Sequence, residues 1–132
     1  MALIYIVEDD QNIREIESFA LKNSGYTIMD FECAKDFYHQ LAEKVPECIL
    51  LDIMLPGADG FEICKAIRAK SYVPVIFLTA RGREEDRLYG YDIGCDDYVV
   101  KPFSMAELSA KIMSFLRRSK GLWEKKSSIE AY

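Results

Sequence analysis

Glu8, Asp9 and Asp10 follow one short apolar run of the chain, Asp52 ends a second, Thr79 a third, and Lys101 follows a fourth. These residues form a chemical set only if the runs are neighbouring strands that end on one rim. Clustered carboxylates repel one another unless a cation sits between them. A hard divalent cation such as magnesium suits such a rim, because it takes oxygen ligands and commonly uses one or two protein carboxylates together with waters and a phosphate. Glu8, Asp9 and Asp52 are the candidate ligands. Asp52, at the end of an apolar strand, is also placed to act as a nucleophile and form an aspartyl phosphate. Lys101 and Thr79 would then stabilise charge on the transferring phosphoryl oxygens. A single acid after a strand is ordinarily a helix cap or a solvated loop residue, and Asp10, just ahead of Gln11, fits that description. The joint occurrence of an acid pair, an acid, a threonine and a lysine at four strand ends does not.

The elements that must bring these residues together are legible in the hydrophobic pattern. Short apolar runs at Leu3 to Val7, Thr27 to Phe31, Cys48 to Leu51, Val75 to Leu78 and Tyr98 to Val100 alternate with longer amphipathic segments. Most of the runs are apolar throughout, as expected of strands covered on both faces, and the segments between them are long enough for crossover helices. The first helix carries Ile13, Ile16, Phe19 and Ala20 on its expected core face and Arg14, Glu15 and Glu17 on its polar face, and it stops at Gly25. Asp59-Gly-Phe-Glu62 and Ser104-Met-Ala-Glu107 match the capping box and place helix starts near Asp59 and Ser104. A fourth helix opens with Glu84, Glu85 and Asp86 and closes at Gly94. Pro46, Pro56, Pro74 and Pro102 all fall between elements. Alternating βα units with right-handed crossovers predict an α/β fold, an open parallel five-stranded sheet between helices, with function at the carboxyl ends of its strands.

A chain of 132 residues allows one domain with a full-sized core. The formal charge of -5 argues against a whole-protein basic footprint for nucleic acid. That charge is divided unevenly: residues 1–110 carry -9 and residues 111–132 carry +4. No apolar run is long enough to span a membrane and no secretory leader opens the sequence, so a cytoplasmic protein with no membrane partner is expected. Cys33, Cys48, Cys64 and Cys95 lack any C-x-x-C spacing and are expected to be reduced structural thiols. His39, in a polar stretch, is expected at a solvated helix position.

Val7-Glu-Asp-Asp10, Leu50-Leu-Asp52-Ile-Met-Leu-Pro56-Gly-Ala-Asp-Gly60, Phe77-Leu-Thr79-Ala80, Gly94-Cys-Asp-Asp97-Tyr98 and Lys101-Pro102-Phe103 together resemble the receiver domain of bacterial two-component response regulators. The likeness spans residues 2 to about 119. It implies a flavodoxin-like, doubly wound sheet of strand order 2-1-3-4-5 with five helices. It further implies that Asp52 accepts a phosphoryl group from a sensor histidine kinase, that Glu8, Asp9, Asp52 and the Met54 carbonyl hold Mg2+, and that Lys101 contacts the phosphoryl group. Thr79 and Tyr98 would form the switch, the hydroxyl moving toward the phosphoryl group and the aromatic ring turning inward behind it. The Lys101-Pro102 bond would be cis. Glu8 stands where the family most often has Asp.

Within that family, Thr79 to Arg87, Lys101 to Leu108 and Arg117-Arg118 most resemble the winged-helix transcriptional regulators. The implied output is a homodimer formed on phosphorylation through the fourth helix, last strand and fifth helix, with Arg87, Asp96, Asp97, Glu107, Lys111 and Arg118 pairing between subunits. Such a protein is a phosphoacceptor and switch, not an enzyme. Residues 1–119 are then the receiver and 120–132 a linker toward a DNA-binding effector domain outside this chain, through which alone it would meet DNA. A stand-alone receiver acting by protein contacts is the alternative. A haloacid-dehalogenase type phosphatase is disfavoured because Met54 stands where that class needs a second acid, and nucleotide binding is disfavoured because Glu8-Asp-Asp-Gln-Asn12 would repel phosphate.

Overall fold

The computed structural model describes residues 2–130, with side chains to Arg118. Five strands, β1 (Leu3–Val7), β2 (Thr27–Phe31), β3 (Cys48–Leu51), β6 (Val75–Thr79) and β7 (Asp97–Val100), form one parallel sheet in the order β2-β1-β3-β6-β7. Around them run α1 (Gln11–Asn23), α2 (Ala34–Glu43), α3 (Gly60–Arg68), α4 (Glu84–Asp92) and α5 (Met105–Glu130). This is the expected doubly wound arrangement. The strands are numbered to seven because a two-residue hairpin, β4 (Met54–Leu55) with β5 (Ala58–Asp59), lies between β3 and α3 and turns on Gly57 at φ 69°. Residues 120–132, expected as linker from composition, lie outside the described side chains, and the α5 backbone continues to Glu130. Among the described residues no helix is long and apolar enough to cross a membrane.

The strand period of two divides the core in half. Tyr5, Val7, Ile49, Leu51, Val75 and Phe77 pack with Phe37 of α2 and Phe61, Ile63 and Ile67 of α3. Ile4, Ile6, Leu50, Ile76 and Leu78 pack with Leu21 of α1 and Leu108 and Ile112 of α5. Each such side chain contributes about 1.5–3 kcal/mol when fully buried, so β1, β3 and β6 are held in the centre of the molecule. At the carboxyl end Val7 lies opposite Leu51 and Leu51 opposite Phe77, and β6 runs two residues further, with Thr79 opposite Val100.

The helix ends follow local chemistry. Asp10 caps α1 by accepting from the Ile13 N–H at 3.0 Å, Asp59 caps α3 by accepting from the Phe61 N–H at 2.9 Å, and Ser104 accepts from the Glu107 N–H at 3.4 Å. Gly25 and Gly94, at φ 97° and 108°, occupy the left-handed positions where α1 and α4 stop.

Two expectations are corrected. β2 is an edge strand whose Thr27, Met29 and Asp30 are exposed, so it is not covered on both faces. The larger change is in α1, where Ile16 and Phe19 are 65% and 67% exposed while Glu17, Ser18 and Leu21 are buried. The reason is that the first turns of α1 lie beside the carboxyl ends of β1 and β2, where polar groups need partners. Arg14 donates to the Glu8 carbonyl at 2.8 Å and Ser18 to Asp30 at 2.6 Å. The helix is therefore rotated with Arg14, Glu17, Ser18 and Leu21 inward, a stripe with the same three-and-four spacing as the apolar one.

Candidate functional site

The acidic corner is assembled from the backbone upward. Glu8 follows β1 and its N–H donates to the Phe31 carbonyl at 3.0 Å, while the Asp52 N–H donates to the Val7 carbonyl at 3.1 Å. The ends of β1 and β3 are thus tied together at the point where the sheet's winding reverses, which is where such folds open a crevice. Oxygens of Glu8, Asp9 and Asp52 all lie within 4.8 Å of one another. Glu8 and Asp52 are buried, and Asp9 is exposed at the mouth. Asp52 Oδ1 accepts from the Met54 N–H at 3.1 Å. Lys101 Nζ reaches Asp52 Oδ2 at 3.3 Å and also hydrogen-bonds Glu8.

Gly60 makes this packing possible. A Cβ there would stand 2.5 Å from the Asp52 carbonyl oxygen and 2.5 Å from the Ile53 Cα, both backbone atoms that cannot swing aside. Its signal in the sequence is a glycine at the first position of a capped helix, where helix propensity alone disfavours it.

Electrostatically the corner is unbalanced. Burial raises the Glu8 carboxyl above its ordinary value despite the nearby ammonium. Burial works against the Lys101 ammonium too, but its hydrogen bond to Glu8 and the charges of Asp52 and Glu8 hold it above its usual range. Behind them sits Glu17, 2% exposed, with Oε1 lacking any hydrogen-bond partner. Burial, with a smaller push from the Glu8 charge, lifts its carboxyl to about 8. Sequence reasoning placed Glu17 on the solvent face because the stripe of isoleucine and phenylalanine was the stronger periodic signal.

The second corner surrounds Thr79 and Tyr98. Thr79, the last residue of β6, is fully buried, and its Oγ1 accepts from the Arg81 N–H at 3.3 Å. The Thr79 carbonyl accepts from the Lys101 N–H at 2.8 Å, which ties the lysine to the β6 end. The Lys101-Pro102 peptide is cis, as the resemblance implied. Tyr98 is 6% exposed, its ring 5.9 Å from that of Phe77 and its hydroxyl donated to the Arg81 carbonyl. Gly90 of α4 leaves room for it, since a Cβ there would come within 3.2 Å of the Tyr98 ring.

The family model of the response regulator receiver domain matches residues 4–113. The chain belongs to this family. Solved response regulators and receiver domains resemble it. A two-component response regulator from Clostridium difficile shares 26% identity over 90% of this chain and 98% of that one, at a TM-score of 0.87. The BeF3-activated N-terminal receiver domain of RstA from Klebsiella pneumoniae shares 28% identity over 87% and 98%, at 0.84. The response regulator DrrB, a Thermotoga maritima OmpR/PhoB homolog, shares 37% identity over 90% of this chain and 54% of its own, at 0.81.

The donor set of this receiver fits magnesium: three carboxylates with mutually close oxygens, hard donors only, and one ammonium to offset them. The residues assigned to a dimer face are placed as follows. Arg87, Glu107 and Arg118 are exposed on α4 and α5. Asp97 accepts from Lys111 at 2.8 Å and from the Tyr91 hydroxyl at 2.9 Å within the same chain. Asp96 accepts from Arg68 at 3.0 Å and from the Val75 N–H at 2.8 Å. Arg68, which the sequence did not single out, also donates to the carbonyls of Ser71, Val73 and Gly94. All four cysteines are free, and His39 is exposed on α2.

Proposed function

We propose that this receiver is a phosphorylation-activated switch in which Asp52 takes a phosphoryl group from a sensor histidine kinase. The observation that carries the reading is the position of Lys101, whose Nζ contacts both Glu8 and Asp52 where three carboxylate oxygens converge. An Asp52 carboxylate oxygen attacks phosphorus, an O–P bond forms, and the N–P bond of the donor histidine breaks with its electron pair returning to the imidazole. Lys101 offsets charge on the phosphoryl oxygens, and the buried Thr79 hydroxyl is a donor at the adjoining strand end. Glu8, Asp9, Asp52 and the Met54 carbonyl are the groups that would hold Mg2+, which when bound supplies positive charge to the acceptor and the transferring group. The chain acts as phosphoacceptor and switch, not as an enzyme with an external substrate.

The exposed Ile16 and Phe19 on α1, beside the site, support the histidine kinase as partner, because an apolar helix face next to the acceptor is suited to packing against a donor's helices. Tyr98, inward and bonded to Arg81, supports the coupling of Thr79 to the α4, β7 and α5 surface. That surface exposes Leu88, Tyr91 and Met113, and pairing of two copies there is the proposed output, with Arg87, Asp96, Asp97, Glu107, Lys111 and Arg118 setting the register. The likeness to the OmpR/PhoB homolog DrrB supports transcriptional control through a DNA-binding domain, exerted from the cytoplasm.

The test is incubation with magnesium and acetyl phosphate followed by intact-mass measurement. Wild type should gain the mass of one phosphoryl group and Asp52→Ala none. An adduct that survives in Asp52→Ala, or no adduct in wild type, sinks the assignment. Light scattering with a beryllofluoride mimic tests the dimer: a chain that stays monomeric at high concentration rejects it.

A further inference from the structure

Asp86, in the first turn of α4, has a side chain only 7% exposed and serves two arginines at once. Arg81 Nη2 donates to its Oδ1 at 2.8 Å and Arg81 Nε to its Oδ2 at 3.4 Å, while Arg83 Nε donates to Oδ2 at 3.1 Å. The Arg81 guanidinium also lies 5.5 Å from the centre of the Phe61 ring, which meets Phe77 and Tyr89 edge-on. The backbone of the same arginine carries the switch contacts, its N–H to Thr79 Oγ1 and its carbonyl to the Tyr98 hydroxyl.

We propose that Asp86 is a positioning residue of the switch: its two-arginine clamp sets the loop between β6 and α4 so that the Arg81 carbonyl stands ready for the Tyr98 hydroxyl before any phosphoryl group arrives. This deepens the phosphoacceptor reading and rests on it. Charge-assisted bonds to both edges of one carboxylate fix the guanidinium plane as well as its distance. With the guanidinium held on one side and the N–H on the other, the Arg81 carbonyl has little freedom. Hydrogen bonds from Arg83 and Arg81 hold the Asp86 carboxyl below the usual carboxylate range, so it stays ionised at neutral pH. A ligand that binds only the competent state binds more weakly in proportion to that state's scarcity. Loosening the clamp should therefore weaken binding of a phosphoryl mimic to Asp52, a residue Asp86 does not touch.

An acid in the first turn of a helix is stabilising through the helix dipole alone, and a double-mutant cycle separates that role from the clamp. The 132-residue chain, with magnesium present, is titrated with beryllofluoride and the midpoint read from the Thr79 amide resonance. Asp86→Asn should raise the midpoint about fivefold with Tyr98 present and less than about twofold in a Tyr98→Phe background, a coupling of more than about 2.5-fold, as expected of residues in one hydrogen-bond network. Arg81→Met keeps the carbonyl but loses the guanidinium and should act as Asp86→Asn does, which covers the case of a variant that fails to fold. Equal shifts in both backgrounds, or none in either, overturn the clamp while leaving the phosphoacceptor reading intact. A wild-type chain that does not bind beryllofluoride overturns both.

Discussion

The two corners of the strand rim hold opposite balances of charge. At the ends of β1 and β3, Glu8, Asp9 and Asp52 face the single ammonium of Lys101, with Glu17 buried behind them. Past the end of β6, the single carboxylate of Asp86 faces the guanidiniums of Arg81 and Arg83. The first corner has surplus negative charge whose mutual repulsion an added cation relieves. The second is satisfied by its own residues. A receptive site and a readout have different needs: one must be left short of positive charge so that it responds to a ligand, and the other must be complete so that it transmits the response through fixed contacts.

Four measurements would break or sharpen that contrast. The largest effect should come from Gly60→Ala, which drives a methyl group into the Asp52 and Ile53 backbone and should cost about 3 kcal/mol in chemical denaturation, the upper range for overpacking. A neutral result would mean that the acidic corner is not held by close backbone contact.

Magnesium is next. At about 100 times its dissociation constant it should raise stability by about 2.7 kcal/mol, a gain lost in Asp52→Asn and kept in Asp86→Asn. Equal losses in both variants would erase the distinction between the corners.

Third, the folded state holds the Glu17 proton up to about 8, above the ordinary value of 4.5. The native chain therefore binds more protons than the unfolded chain between those values, and its stability should fall as pH rises through the window and level off above it. In chelator-containing buffer the slope should be on the order of 1 kcal/mol per pH unit, and it should shrink in Glu17→Gln, where only the raised Glu8 carboxyl is left to contribute. Glu17→Leu, which also removes the unpaired Oε1, should raise stability by about 1–3 kcal/mol at neutral pH.

The smallest effect belongs to the outer face of α1. Ile16→Ser and Phe19→Ser should each change stability by less than about 0.5 kcal/mol, while phosphotransfer from a histidine kinase slows.

Much of this was readable in advance. Each strand of the main sheet lies within one residue of its expected run, and for the central strands the reason is that a buried parallel strand must be apolar throughout while its neighbours are turn-forming or polar. Asp10, Asp59 and Ser104 cap where their spacing said they would, because a cap depends on atoms two or three residues away. The rotation of α1 was not readable. Arg14, Glu17, Ser18 and Leu21 share the spacing of Ile13, Ile16 and Ala20, so two stripes competed, and the outcome turned on Asp30 and the Glu8 carbonyl, partners from other segments. The β4–β5 hairpin escaped notice because two-residue strands leave no period to detect.

By itself, then, the sequence determined which residues end the strands, and a parallel sheet puts those ends, with Glu8, Asp9, Asp52, Thr79 and Lys101, on a single rim. Only the tertiary structure decided which way each helix turns about its axis and which charge meets which: Glu17 inward, Asp86 between two arginines, Asp96 on Arg68. The reason is physical. Strand ends follow from periodicity within a few residues, whereas helix rotation and ion pairing follow from the competition of distant groups for the same buried space.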